Sequence, residues 1–186
     1  MKQELQQKLF DAYPELWANM KIVPGQPRMP ISFGIETGDG WFDIIDGICA
    51  GLVRESRRVA EAVVSARKYN WTNLEELTEK MRKTPPPARV AQIKEKFGTL
   101  RFYVDSATDA DYAVIEFGER MSATTCEDCG NKGEERPDGW IRTQCELCYA
   151  EALKYEAKRR AEWDLRRAEL AKERAEKLAA ALDKAE

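Results

Sequence analysis

Apolar residues recur at helical spacing near the start of the chain. Leu5, Leu9, Phe10 and Tyr13 would share one face, and Pro14 breaks the pattern. Leu16 and Trp17 follow and are expected to stay on the core. Residues 23–30 (VPGQPRMP) are rich in proline and read as a loop. Ile31–Glu36 alternates apolar with small or polar residues, the mark of a short strand. Thr37-Gly38-Asp39-Gly40 reads as a turn, with Asp39 placed to cap the next helix. From Trp41 a stripe of Ile44, Ile45, Ile48, Cys49 and Leu52 resumes with Val59, Ala60, Val63 and Val64. It predicts one helix to about Tyr69, or two with a break near Gly51. Thr72-Asn73-Leu74-Glu75 has the form of a capping box opening a short helix with Leu77 and Met81 on its apolar side. Thr84-Pro85-Pro86-Pro87 ends that helix in a stiff connector.

Residues 89–104 (RVAQIKEKFGTLRFYV) predict a β-hairpin with Gly98 in its turn. Ala91, Ile93 and Phe97 share one parity before the turn, and Leu100, Phe102 and Val104 share one after it. Parity therefore sends Phe97 and Phe102 to the core. Asp109 is expected to cap a helix carrying Val114, Ile115, Phe117 and Met121. The last stretch, from about Leu147 to Lys184, lacks proline and glycine and is dominated by alanine, leucine, glutamate, lysine and arginine. It predicts a helix of roughly 57 Å. Ala161, Leu165, Ala168, Ala175, Ala179 and Leu182 fall near heptad core places, but Lys172 interrupts them. Such a seam is too weak for a strong coiled coil, and a projecting arm is expected.

Cysteine spacing carries the strongest chemistry. Cys126, Cys129, Cys145 and Cys148 form C-x2-C-x15-C-x2-C, within the spacing of four-cysteine zinc sites. Two residues between paired cysteines let both sulfurs reach one ion, and thiolates suit tetrahedral Zn²⁺ at about 2.3 Å. Gly130 and Gly133 suit a knuckle whose backbone amides turn toward sulfur. Cys145 and Cys148 would open the last helix, whose N-terminal dipole favours thiolate. The order of knuckle, hairpin and helix predicts a treble-clef or zinc-ribbon-like module, with Trp140 and Ile141 covering one side of the metal. Disulfides, a redox pair and an iron–sulfur cluster compete with structural zinc, which the spacing favours. Four thiolates close the shell, so a catalytic zinc is not expected. The remaining cysteine, Cys49, lies on an apolar stripe and reads as a buried, inert thiol.

The chain has 186 residues, 34% of them charged, and no histidine. That absence excludes Ser-His and Cys-His catalytic pairs and histidine-bound metals. No run of apolar residues suits a membrane span or a secretory leader, so a soluble, cytoplasmic protein without a membrane partner is expected. The net charge of −3 conceals a division: residues 54–104 carry twelve basic and six acidic groups, +6, and residues 105–148 four and eleven, −7. A polyanion would meet the middle first, through Arg54, Arg57, Arg58, Lys94, Lys96 and Arg101 beside the hairpin aromatics. The zinc segment lies in the acidic block, so it is not read as a DNA-gripping finger. Asp39, Asp43 and Asp46, with Glu36 upstream, could share a helix face and hold Mg²⁺ for a hydrolase. A cap plus a solvated face is the favoured reading of these acids. Lys94-Glu95-Lys96 lacks the acid-x-Lys spacing of metal nucleases.

Taken together, FGIETGDGWFDIIDGIC (33–49), VAQIKEKFGTLRFYVD (90–105) and MSATTCEDCGNKGEERPDGWIRTQC (121–145) resemble a family of proteins from tailed phages and prophages, one without an assigned activity. QKLFDAYPELW (7–17) fits as well. The likeness covers most of residues 7–148 and leaves out 54–88 and the tail. It implies a phage-encoded accessory protein and no catalytic residues. The expected architecture is an α+β body (1–125), a four-cysteine module (126–150) and an extended charged helix (151–186). The expected function is non-enzymatic, namely binding and inhibiting a host protein such as a defence or nucleic-acid-processing enzyme. Nucleic-acid binding through the basic middle is the alternative, and a metal-dependent hydrolase a third.

Overall fold

The computed structural model describes residues 1–17, 34–137 and 139–182, with side chains to 177. The predicted loop at 23–30 and the first half of the predicted strand, 31–33, lie outside the described residues. The fold is α+β, and the chain divides into two units, Met1–Cys145 and Glu146–Glu186.

The first unit begins with α1 (Gln3–Ala12), which turns Leu9 and Phe10 inward. Pro14 then starts a single 3-10 turn that buries Leu16 and Trp17. The Trp17 ring meets Phe10 edge-on at 5.1 Å between centroids, and its Nε1 donates to Leu9 O at 3.3 Å. The long helix α2 (Phe42–Lys68) buries Ile45, Ile48, Cys49, Leu52, Val53, Val59, Val63 and Ala66 along one face. It runs through Gly51 without a break. The glycine is there for space: a Cβ at that position would sit 2.7 Å from Val114 Cγ1 on α4 (Asp109–Ser122). Gly118 of α4 does the same in return, where a Cβ would lie 2.5 Å from Ile48 Cδ1. The two helices therefore cross closely.

A three-stranded sheet shares the core with α2, its β3 strand packing on α4. β1 (Ile35–Glu36) pairs in parallel with β2 (Arg89–Lys96), and β2 pairs antiparallel with β3 (Thr99–Asp105). A bulge between Val90 and Gln92 shifts the alternation, so Val90 and Ile93 both face the core while Ala91 is exposed. Leu100 and Phe102 join them there, whereas Phe97 does not. It occupies the first position of the two-residue turn at φ 53°, ahead of Gly98 at φ 74°, and is 65% exposed. The parity argument failed because a turn residue has no sheet face.

Two helix starts differ from expectation. α3 (Leu74–Lys83) has Asn73 before it with no side-chain cap, so the Thr72 box does not form. The box forms instead at α4, where Thr108 Oγ1 accepts from Asp111 N and the Asp111 carboxylate accepts from Thr108 N. α4 buries Ile115 and Gly118, which leaves Phe117 and Met121 exposed.

Arg57 on α2 ties down the segment after α1. Its Nε donates to Glu15 Oε1 at 2.6 Å, and its Nη2 donates to Glu15 Oε2 at 2.8 Å and to Ala12 O at 2.7 Å, while the guanidinium lies over the Tyr13 ring. The Arg57 bond holds the Glu15 carboxyl below its ordinary range. A carboxylate with a lowered folded pKa stabilises the fold above its unfolded pKa, and that contribution fades as pH falls through the folded value. Glu15→Gln is therefore expected to lower stability at neutral pH and to flatten its acid limb, as read from denaturant midpoints between about pH 2 and 7.

The second unit is α5 (Glu146–Leu182), a helix of 37 residues. Lys158–Glu162 and Lys172–Glu176 pair along it at 4.0 Å, and Arg167 lies over the Trp163 ring. Tyr155, Trp163, Leu165 and Leu170 are exposed. Among the described residues no helix is long and apolar enough to cross a membrane.

Candidate metal centre

After α4 the chain tightens into a knuckle. Cys126 N donates to Asn131 O at 2.7 Å, Gly130 N to Cys126 O at 2.9 Å and Gly133 N to Thr124 O at 2.9 Å. Gly130 takes φ 78°, which the turn requires. The antiparallel strands β4 (Glu134–Arg136) and β5 (Arg142–Gln144) then bring the chain back to Cys145. Glu127 N donates to Thr143 O at 2.9 Å, and Gln144 Nε2 to Asp128 Oδ2 at 2.6 Å, so the return strand is stitched to the knuckle. Cys148 follows within the first turn of α5.

The four sulfurs of Cys126, Cys129, Cys145 and Cys148 lie within 4.8 Å of one another, and Cys129 Sγ is 3.6 Å from Cys145 Sγ. All four cysteines are free of disulfides. Cys126 is buried, and that burial raises its thiol pKa; backbone N–H groups of Cys145, Cys129 and Asp128 aimed at the sulfur work the other way. Peptide N–H groups directed at sulfur favour a thiolate, and the cost of burying its charge is offset when a cation shares the site. The cluster can thus hold a metal ion, with the ligand residues the sequence named.

This knuckle is also the hub of the first unit. Gly38 N donates to Glu127 Oε1 at 2.9 Å and Gly40 N to Glu127 O at 2.7 Å. Trp41, wholly buried, donates from Nε1 to Thr125 O at 2.8 Å. A Cβ on Gly40 would stand 2.2 Å from Cys126 O and 2.3 Å from Gly130 N, and one on Gly38 would stand 2.3 Å from Glu127 O. The Gly38-Asp39-Gly40-Trp41 segment is therefore a docking surface for the cysteine knuckle, held by one buried carboxylate whose pKa burial raises. Thr143 Oγ1 donates to Gly98 O at 2.6 Å, and Leu100 N to Ser122 Oγ at 2.9 Å, joining the β2–β3 hairpin to the same hub. None of these partners was named from the sequence. Glycines read there as turn residues prove to be points of backbone-on-backbone contact.

Other expected site residues sit elsewhere. Trp140 is not packed as a cover for the cysteine cluster: it is 71% exposed, and its Nε1 donates to Glu95 Oε2 at 2.8 Å. Among the described residues the cysteines are the group of ligand atoms that converges; Glu36, Asp39, Asp43 and Asp46 do not. Asp39 accepts from Lys2 N at 2.7 Å and pairs with Lys2 Nζ, rather than capping a helix. Asp46 accepts from the Tyr13 hydroxyl at 2.9 Å, and Glu36 from Gln92 Nε2 at 3.3 Å. Cys49 is sealed in the core, where burial pushes its thiol far above the ordinary value, so it stays protonated.

The six basic residues fall into two groups. Arg54, Arg57 and Arg58 project from α2, where Arg57 is engaged by Glu15 and Arg58 by Glu55. Lys94, Lys96 and Arg101 line the β2–β3 hairpin, Lys94 directly opposite Arg101. Compared with protein-family models, curated proteins and solved structures, the chain matches none.

Proposed function

We propose that the chain is a non-enzymatic, phage-encoded accessory protein whose four cysteines hold one structural Zn²⁺ and which acts by binding a host protein in the reducing cytoplasm. The observation that carries the zinc assignment is the sulfur spacing. Four ligands at about 2.3 Å in a tetrahedron stand roughly 3.8 Å apart, close to the 3.6 Å between Cys129 and Cys145. An iron–sulfur cluster places irons and sulfides between its thiolates and needs them farther apart. Four thiolates also leave no open coordination position, which supports a structural over a catalytic role.

The partner reading rests on the phage resemblance and on α5, which exposes Tyr155, Trp163, Leu165 and Leu170 along a helix with a charged remainder. Tyrosine and tryptophan side chains are the usual anchors of a protein interface. Elemental analysis of reduced protein is expected to return a single zinc per chain. Affinity capture from host lysate is expected to recover a stoichiometric partner with the full chain, and to lose it with Trp163→Ala and Leu165→Ala together. Metal-free reduced protein would overturn the zinc assignment, and capture unaffected by those substitutions would overturn the role of α5.

A further inference from the structure

We propose that the outer face of the β2–β3 hairpin binds single-stranded nucleic acid, with Phe97 and Tyr103 stacking on bases and Lys94, Lys96 and Arg101 meeting phosphates. This surface belongs to the first unit and goes beyond the host-protein reading. Ile93, Leu100 and Phe102 point into the core, so register puts Gln92, Lys94, Lys96, Thr99, Arg101 and Tyr103 on the opposite side. Lys94 Nζ lies 5.4 Å from the Tyr103 ring centroid, and Lys96 Nζ lies 5.4 Å from that of Phe97. Among the described residues none of the three cations has a carboxylate within ion-pair distance, unlike Arg57 and Arg58. Arg101 Nη1 is braced by Thr99 Oγ1 and Leu100 O, both at 2.7 Å. The acids bordering the face are Glu36, in register with Lys94 and bonded to Gln92; Asp105 at the far end opposite Arg89; Glu119, which accepts from Phe102 N; and Glu95, which points to the other side of β2 and accepts from Gly98 N. Of the residues that register turns outward, the charged ones are Lys94, Lys96 and Arg101.

Phe97 is the second observation. Its backbone adopts the left-handed conformation that asparagine or glycine fills best at this place in a two-residue turn. Its ring is nonetheless mostly in water and stands outside the core, so the fold receives little packing in return for the strain. An exposed ring flanked by unpaired cations fits a ligand with a flat apolar face and an anionic backbone, which is a single strand. A duplex keeps its bases stacked on each other and offers no free face to the rings.

The test is fluorescence anisotropy of a labelled oligothymidylate of about 15 nucleotides with the full chain at about 50 mM salt. Binding is expected to weaken with salt at a slope of about −2 in log–log form, as three phosphate contacts on a single strand require. Phe97→Asn suits the turn, so its unfolding midpoint should equal or exceed that of the parent while affinity falls roughly tenfold. Lys172→Ala, on α5, should leave binding unchanged. The proposal is overturned if no binding occurs at that salt, if Phe97→Asn binds like the parent, or if a duplex of equal length binds as tightly.

Discussion

Stripping the metal from the four-cysteine centre is expected to destabilise the first unit more than any single core substitution. Structural zinc sites of this kind contribute binding free energies of about 10–16 kcal/mol to the folded state, because the unfolded chain holds no preformed site. Here the loss would not stay local. Cys126 is completely buried, and its backbone N–H and C=O both help to close the knuckle. The same knuckle supports Gly40 through Glu127 O, Trp41 through Thr125 O, and the β2–β3 hairpin through Thr143. Without the ion, thiolates in that space must take up protons or repel one another. Cys126→Ser should therefore lower stability by at least about 4 kcal/mol, a size reserved for the loss of a metal or a buried network. Cys129→Ser, at an exposed ligand, should leave a weakened three-thiolate site and cost less. Thermal unfolding of the zinc-loaded protein, with and without a strong chelator, reads the effect directly. The midpoint should drop by tens of degrees under chelation and recover on zinc addition. An unmoved midpoint would mean that the hub is held by its hydrogen bonds alone.

How much of this was legible beforehand follows from the range of the forces involved. The long stripe from Ile44 to Val63 fixed α2 because helix periodicity is local and repeated. The cysteine spacing pointed to the cluster because a tetrahedral ion restricts which residues can reach it, and the four sulfurs do converge. Features resting on non-local packing escaped. The stripe alone left one helix or a break near Gly51 open, and Gly51 is where α4 approaches α2 within an unbroken helix. Thr72 and Asp109 read as caps, but caps compete by neighbouring residue, and Thr108 with Asp111 forms the bonded box. Trp140 read as a lid over the metal because it precedes Cys145, yet its indole reaches Glu95. Phe97 read as core by counting alternate residues through a turn. Asp39 and Asp46 read as a possible cation site, and each is bonded within the body instead, to Lys2 and to Tyr13. Partners distant in sequence have no signature in local pattern, and these are the contacts that assemble the hub.

The glycines of that hub offer the sharpest separation between conformational freedom and space. Gly40→Ala is expected to be among the most damaging small substitutions in the chain. The added methyl group would stand 2.2 Å from Cys126 O, 2.3 Å from Gly130 N and 2.7 Å from Cys129 N, all backbone atoms of the knuckle. A flexible side chain can rotate away from an overlap of this kind, whereas a backbone pinned by the Cys126–Asn131 and Gly130–Cys126 hydrogen bonds cannot. Overpacking against fixed atoms costs about 3 kcal/mol or more. The displaced atoms belong to two ligand residues, so the penalty should pass into metal affinity as a loss of roughly a hundredfold. Gly47, on the exposed side of α2, is the matched control, because a Cβ there meets nothing within 4 Å. Gly47→Ala should raise stability by up to about 1 kcal/mol through helix propensity alone. Chelator competition for zinc and denaturant midpoints on both variants make the comparison. If Gly40→Ala kept parental affinity and stability, the segment from Gly38 to Trp41 would not dock on the cysteine knuckle as closely as its hydrogen bonds require.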